Sequence, residues 1–345
     1  MRMKHSRLFQ YDLIRVIAMI FVIGVHLPFD FTENPWLVSA KGAIFLLGNA
    51  MFYMLSGKFN LTEKAYISIP KFYKKKAVNI LFPFFLWSLL IYFYNIRHSY
   101  QAMSVGAIGK GFLDAVLVTN PSTHLWFMYP LIGFLISAPF LAKLLDALSE
   151  KEIWILVTVG LVWSLVQIIL IYDITLGYSP FSGWFLDSWC FYFAMGACID
   201  RLHDTIMKKK LFYIVIGLLC LLMTILWKIY LPDRSAYIYD LSPVYMLASV
   251  GIYLLILCIP ESNNSRIKKV ISFIARHSFG VYAIHTIVIE QVKWKLYFLT
   301  GFKGYIMKYI IVFGVSLLCS WLVDLIVIEP VKSLLNRNTD TAKIQ

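Results

Sequence analysis

Residues 11–28 read YDLIRVIAMIFVIGVHLP, an apolar run long enough for one bilayer crossing but interrupted by Asp12, Arg15 and His26. A cation at the centre of a membrane helix costs on the order of 2.5–3.5 kcal/mol on insertion scales, so an arginine kept there needs a partner or a task. At roughly 100° and 1.5 Å per residue, Arg15 and His26 project from one stripe of the helix about 16 Å apart. Asp12 lies one turn before Arg15 on the same stripe, which makes the two a natural pair. Two readings stand. In one, the polar stripe faces the protein interior and carries chemistry. In the other, Arg15 snorkels to the headgroups and His26 is an interfacial residue closing the helix.

The rest of the chain fixes the setting of that helix. With 60% hydrophobic and 15% charged residues and a mean hydropathy of +0.72, it is far more apolar than a soluble domain, whose charged share is about 25%. The net charge of +13 is spread in short basic clusters between apolar runs, the arrangement of loops at a membrane face, and excludes a nucleic-acid partner. Cys190, Cys198, Cys220, Cys258 and Cys319 all sit inside apolar segments without CxxC spacing and read as packing residues. The basic start MRMKHSR is followed by an apolar run too long for a signal peptide and lacking a small-residue cleavage pattern, so the first helix is expected to stay in the membrane.

Windows of about 20 residues predict ten transmembrane helices, an all-α polytopic fold, at 11–28, 37–57, 78–96, 125–146, 153–172, 184–201, 211–230, 241–260, 271–292 and 305–328. The stretch 112–118 is apolar but too short to cross, and is expected to lie at the surface or re-enter. With the N-terminus inside, most of the 32 lysines and arginines fall in inner segments, among them Arg2, Lys4, Arg7, Lys71, Lys74, Lys75, Lys76, Lys208, Lys209, Lys210, Arg337 and Lys343; Arg234 is among the few outside. Both termini are therefore expected in the cytoplasm. Trp36, Trp126, Tyr178, Trp184 and Tyr230 mark an aromatic belt. No connection is long enough for a soluble domain, which leaves a single membrane domain over 1–335 and a short polar cytoplasmic tail over 336–345.

Several groups besides the first helix carry chemistry. Lys74, Lys75 and Lys76 stand directly before the third span, where they either set topology and bind anionic headgroups or hold the phosphates of a cytoplasmic ligand. Asp324 and Glu329 lie in the last span and Glu290 at the end of the ninth; each is costly in lipid, and Glu329 is a candidate partner for Arg15. His124 and Trp126 open the fourth span, either as belt residues or as a ring platform for the C–H face of a sugar. Ser278 and His285 in SFGVYAIH read as helix contacts. There is no GxxxxGK[ST] loop, HExxH, GxSxG elbow or Cys/His metal spacing, which argues against an ATP-driven pump, a zinc protease or any metal site.

Taken in order, RVIAMIFVIGVH, FYMLSGKF, KKKAVNILFPF, HLWFMYPLIGFLISAPFL, FYFAMGACI, HSFGVYAIHTIVI and VIEPV resemble the membrane acyltransferase-3 family across essentially the whole chain. That family includes bacterial O-acetyltransferases of lipopolysaccharide, capsule, exopolysaccharide and peptidoglycan. Where many members carry Arg-x-x-Arg before the proline, this chain has Lys76-Ala77-Val78-Asn79. The resemblance implies a multi-pass enzyme of the bacterial cytoplasmic membrane with no permanently bound cofactor. It would transfer an acyl group, usually acetyl, from acetyl-CoA to a hydroxyl of a cell-surface glycan or its lipid-linked precursor. It implies catalytic roles for His26 and Arg15, and donor binding by Arg15, Lys74, Lys75 and Lys76. It implies a structural or charge-partner role for Glu329, beside the readings from the residues themselves of Asp12 as a charge partner and of His124 and Trp126 as acceptor contacts. His26, neutral near pH 7, would take the proton of the attacking hydroxyl. The competing reading is a polysaccharide or lipid exporter or flippase whose buried charges line a path.

Overall fold

The computed structural model describes residues 9–28, 34–168, 188–231 and 242–341. Arg2, Lys4, Arg7, Tyr178, Trp184, Arg234 and Lys343, all used in the sequence reading, lie outside the described residues. Every regular element among the described residues is helical, as an all-α polytopic membrane protein requires, because a helix satisfies its own backbone in lipid. Seven helical stretches there are long and apolar enough to cross a bilayer: Phe9–His26, Pro35–Asn60, Ile69–Asn95, Thr123–Ala147, Glu150–Ile168, Lys210–Tyr230 and Gly301–Leu335. Helices Ser188–Arg201 and Pro243–Leu257 overlie two more of the expected spans but are shorter. Helix Ser265–Lys295 overlies the ninth and, at 31 residues, runs well past a bilayer's needs into the basic sequence SRIKK.

The chain divides into two compact units, with the divisions falling between Ile67 and Ser68, between Ile136 and Ser137 and between Ala275 and Arg276. The first unit contains α1 (Phe9–His26), α2 (Pro35–Phe45), α3 (Leu47–Asn60), α4 (Glu63–Ile67) and later helices through residue 275. Half of α1 is buried, against 17% for the helix Lys210–Tyr230 of the same unit. Helix α1 packs on α2, on α3 and on the helix Pro243–Leu257. The start of α2 is set by Asn34-Pro35: the Asn34 side chain accepts from the Trp36 and Leu37 amides at 3.0 and 3.2 Å, and proline's missing donor is no loss in a first turn.

One close crossing in this unit joins α3 to the helix Ser188–Arg201. A Cβ at Gly57 would stand 1.6 Å from the Phe193 carbonyl oxygen, and one at Gly196 would stand 1.8 Å from that of Met54. The two glycines thus let two backbones touch, the means by which helices associate where lipid removes the hydrophobic drive. Gly217 and Gly251 do the same for the helices Lys210–Tyr230 and Pro243–Leu257, each Cβ position lying 2.5 Å from the other's Cα.

The second unit comprises residues 68–136 and 276–345. Here α5 (Ile69–Lys76) runs through a π turn, Ala77–Leu81, into α6 (Phe82–Asn95). A second π turn, Asp324–Ile328, separates the helices Gly301–Val323 and Glu329–Thr341. Both turns end just before a proline, Pro83 and Pro330, and in both the residue before it donates to a carbonyl five residues back: Phe82 to Ala77 and Glu329 to Asp324. The wider turn relieves the clash a proline ring makes with the preceding helical turn. Trp87, Ala283 and Ile328 form a buried core with Phe82, Leu86, Phe279, Ile284 and Val323 around it. Residues 112–118, expected to be too short to cross, belong to the helix Val105–Asp114 and the π turn Ala115–Thr119, and Leu113, Leu117 and Val118 are exposed.

Gly57→Ala or Gly196→Ala should cost about 3 kcal/mol or more, because the obstacle is backbone rather than a yielding side chain. Thermal unfolding in detergent should show a lower midpoint for either. Gly133→Ala, where a Cβ meets nothing within 4 Å, should leave it unchanged or slightly higher.

Candidate active site

The polar groups of α1 separate into two places. Near its N-terminal end, Asp12 is 4% exposed and its Oδ1 lies 3.6 Å from an Arg15 guanidinium nitrogen. The guanidinium is also 5.9 Å from the ring centroid of Phe59 on α3, so a cation in an apolar helix is met by a carboxylate and an aromatic face. The preceding residue of α3, Lys58, forms an ion pair with Asp200, and its ammonium lies 5.6 Å from the centre of the Tyr11 ring. Arg201 pairs with Asp146 and also donates to the Leu61 carbonyl at 3.2 Å. This ionic layer borders a chamber of about 210 Å³ whose walls include Gln10, Tyr11 and Asp200.

His26 is the last residue of α1 and is exposed, while Leu27 after it is buried. The ammonium of Lys41 donates to the Leu27 carbonyl at 3.0 Å, which puts a cation beside the histidine at this helix end. The sequence reading did not single out Lys41. The signal was present, since a lysine inside the second span needs a carbonyl or an acid to reach.

In the second unit, Lys74, Lys75 and Lys76 do not act alike. Lys74 and Lys75 are exposed, whereas the Lys76 ammonium lies 5.0 Å over the Phe72 ring. Lys76 also lines an apolar slot of about 380 Å³ with Ile80, Leu81, Leu135 and Ile136. Asn79, standing where an arginine is common, turns its amide to the Lys75 carbonyl at 2.8 Å.

His124 is 2% exposed and engaged at both ring nitrogens. Its Nε2 faces the Ala283 carbonyl at 3.1 Å and therefore carries the proton, so Nδ1 accepts from the hydroxyls of Ser122 at 2.8 Å and Thr286 at 3.2 Å. The same logic gives His285, whose Nδ1 is 2.6 Å from the Tyr282 carbonyl, its proton on Nδ1. The two rings stand 4.8 Å apart, and Tyr282 donates to the His124 carbonyl at 2.5 Å. Trp126 beside them is half-buried. Glu329 is mostly exposed, with Lys332 at 3.8 Å, while Asp324 meets Nδ1 of His277 at 2.5 Å. His277 and His285, both on the helix Ser265–Lys295, thus gain roles that the apolar pattern around them concealed.

A family model described as an acyltransferase domain matches residues 8–325, nearly the entire chain. The chain belongs to the acyltransferase-3 family. No curated protein and no solved structure matches it significantly. This is therefore a multi-pass membrane acyltransferase, and both the ionic layer and the histidine end of α1 lie inside the matched segment.

In this acyltransferase, Asp324→Ala should destabilise the fold by about 2–3 kcal/mol, because it takes away the 2.5 Å partner of a buried imidazole. The double variant His277→Phe/Asp324→Leu should recover most of that loss. A double-mutant cycle in detergent that finds the two sites additive would refute the coupling.

Proposed function

We propose that the protein is an O-acetyltransferase that moves an acetyl group from acetyl-CoA to a hydroxyl of a cell-surface glycan or a lipid-linked precursor. The observation that carries this reading is the exposed imidazole of His26 at the end of the same helix whose other end holds Arg15 against Asp12. One rigid rod of about 16 Å between them suits a donor anchored by charge at one end and reacting at the other.

In the reaction, His26 accepts the proton of the acceptor hydroxyl as its oxygen attacks the thioester carbonyl carbon. The carbon–sulfur bond of the tetrahedral adduct then breaks, and the imidazolium returns the proton to the departing thiolate, which leaves as free coenzyme A. Lys41, held at the Leu27 carbonyl, supplies positive charge near the oxyanion that forms between these steps. Arg15 at the other end of α1 serves the donor's negative charge, and the exposed Lys74 and Lys75 offer a basic surface for phosphate. The half-buried Trp126 serves the C–H face of a sugar, and Tyr282 fixes the backbone at His124 beside it. The distribution of basic segments supports a cytoplasmic N-terminal end of α1, on the side where acetyl-CoA is made.

Purified protein in detergent should consume acetyl-CoA in the presence of acceptor without any membrane gradient, which separates a transferase from an exporter. His26→Ala should abolish that transfer while leaving membrane insertion and yield intact, and a well-expressed variant with normal activity would refute the role. Mass spectrometry of surface polysaccharide from cells with and without the protein should show the loss of one acetyl ester and so name the acceptor.

A further inference from the structure

The reaction above gives Lys76 no task, and its surroundings differ from those of its neighbours. Lys71, Lys74 and Lys75 are exposed, whereas Lys76 is half-buried with its ammonium 5.0 Å from the centre of the Phe72 ring. Among the described residues no carboxylate pairs with it. A ring face answers part of what a cation in apolar surroundings requires, and an anion answers the rest.

The space beside Lys76 is long and apolar. Ala77, Ile80 and Leu81 of the π turn form one wall of the slot of about 380 Å³, and Ile132, Leu135 and Ile136 of the helix Met128–Ala147 form the other. The Tyr73 hydroxyl, also in the lining, is already spent: it donates to the Ile136 carbonyl at 2.6 Å and ties the two walls together. The helical stretch Ile69–Asn95 has 27 residues, about 40 Å at 1.5 Å per residue, which exceeds a hydrocarbon core by about 10 Å. Its lysine-rich start therefore reaches headgroup level, with the π turn just beneath.

These walls exclude most occupants. A nucleotide base or a sugar would find no hydrogen-bond partner along them, and a neutral alkyl compound would leave the ammonium unanswered. In a zwitterionic lipid the headgroup's own cation opposes Lys71, Lys74 and Lys75. A phosphodiester that bears alkyl chains and no cation meets every condition: a chain lies along the slot and the phosphate accepts from Lys76. Lipid tails are as apolar as leucine, so the slot offers a chain no hydrophobic gain over the bilayer, and selection rests on charge.

We propose that the slot between the π turn Ala77–Leu81 and the helix Met128–Ala147 is a binding site for an acyl chain of an anionic glycerophospholipid whose phosphate is held by Lys76. Such a lipid binds whichever donor and acceptor the enzyme uses.

The test is native mass spectrometry of the purified full-length protein, titrated in detergent with dioleoyl phosphatidylglycerol or dioleoyl phosphatidylcholine. The wild type should bind one phosphatidylglycerol about tenfold more tightly than phosphatidylcholine. Lys76→Gln should lose that preference, while Lys76→Arg and Lys74→Gln keep it. Ala77→Trp, which fills the slot from an exposed position and keeps every charge, should weaken both lipids. Equal binding of the two lipids by the wild type, a preference that survives Lys76→Gln, or unchanged binding in Ala77→Trp overturns the site. An equal loss in Lys74→Gln also overturns it, because the headgroup is then held by a diffuse basic surface. Glycerol phosphate, the same headgroup chemistry without chains, should fail to displace the lipid even in large excess; displacement by it assigns the lysines to free phosphate and overturns the lipid.

Discussion

A charged pair enclosed in an apolar helix is the constraint on which the first unit depends. Asp12 and Arg15 face one another across one helical turn, and removing Arg15 would take a counter-charge from a buried carboxylate. The surrounding helices answer that demand. Phe59 covers the guanidinium, and the neighbouring Lys58 reaches to Asp200 to extend the ionic layer. Holding such a layer together requires α1 to be surrounded on several sides, and it is the most enclosed of the candidate spans among the described residues. The glycines at 57 and 196 serve the same end, because backbone contact brings α3 close enough to the helix Ser188–Arg201 for the lysine and aspartate to meet.

The second unit manages its polar groups by different means. His124 and His285 fix their tautomers on backbone carbonyls, and hydroxyls of Ser122 and Thr286 complete the first of them. His277 is instead matched to a carboxylate at the start of a π turn. The two π turns before Pro83 and Pro330 let each helix continue through a residue that would otherwise break or kink it. These histidines and Asp324 are tolerated in an apolar setting because each is tied to a neighbouring carbonyl, hydroxyl or ring.

Much of the fold was legible from residue order. The apolar windows place helices where helices occur, because the hydrocarbon thickness fixes the length of an apolar run and lipid leaves the backbone no other partner. The pairing of Asp12 with Arg15 follows from their spacing within one helix. The roles of Lys76 and Asp324 were less accessible. Three consecutive lysines read as one cluster, yet successive residues on a helix point about 100° apart, so Lys76 turns to an apolar slot while Lys74 and Lys75 face outward. Asp324 was recognised as costly, but its partner His277 is distant in the chain, and no periodicity links two helices.

Residue order alone establishes an all-helical membrane protein of the acyltransferase-3 family, with a cation and a histidine on its first helix, because those properties follow from hydropathy, local spacing and motif order. Tertiary packing alone brings together the polar groups that meet across helices: Lys58 with Asp200, Lys41 with the Leu27 carbonyl, and His277 with Asp324. The physical reason is that such meetings depend on helix crossing and rotation. These are set by close packing at small residues over the whole unit, and no local stretch of chain encodes them.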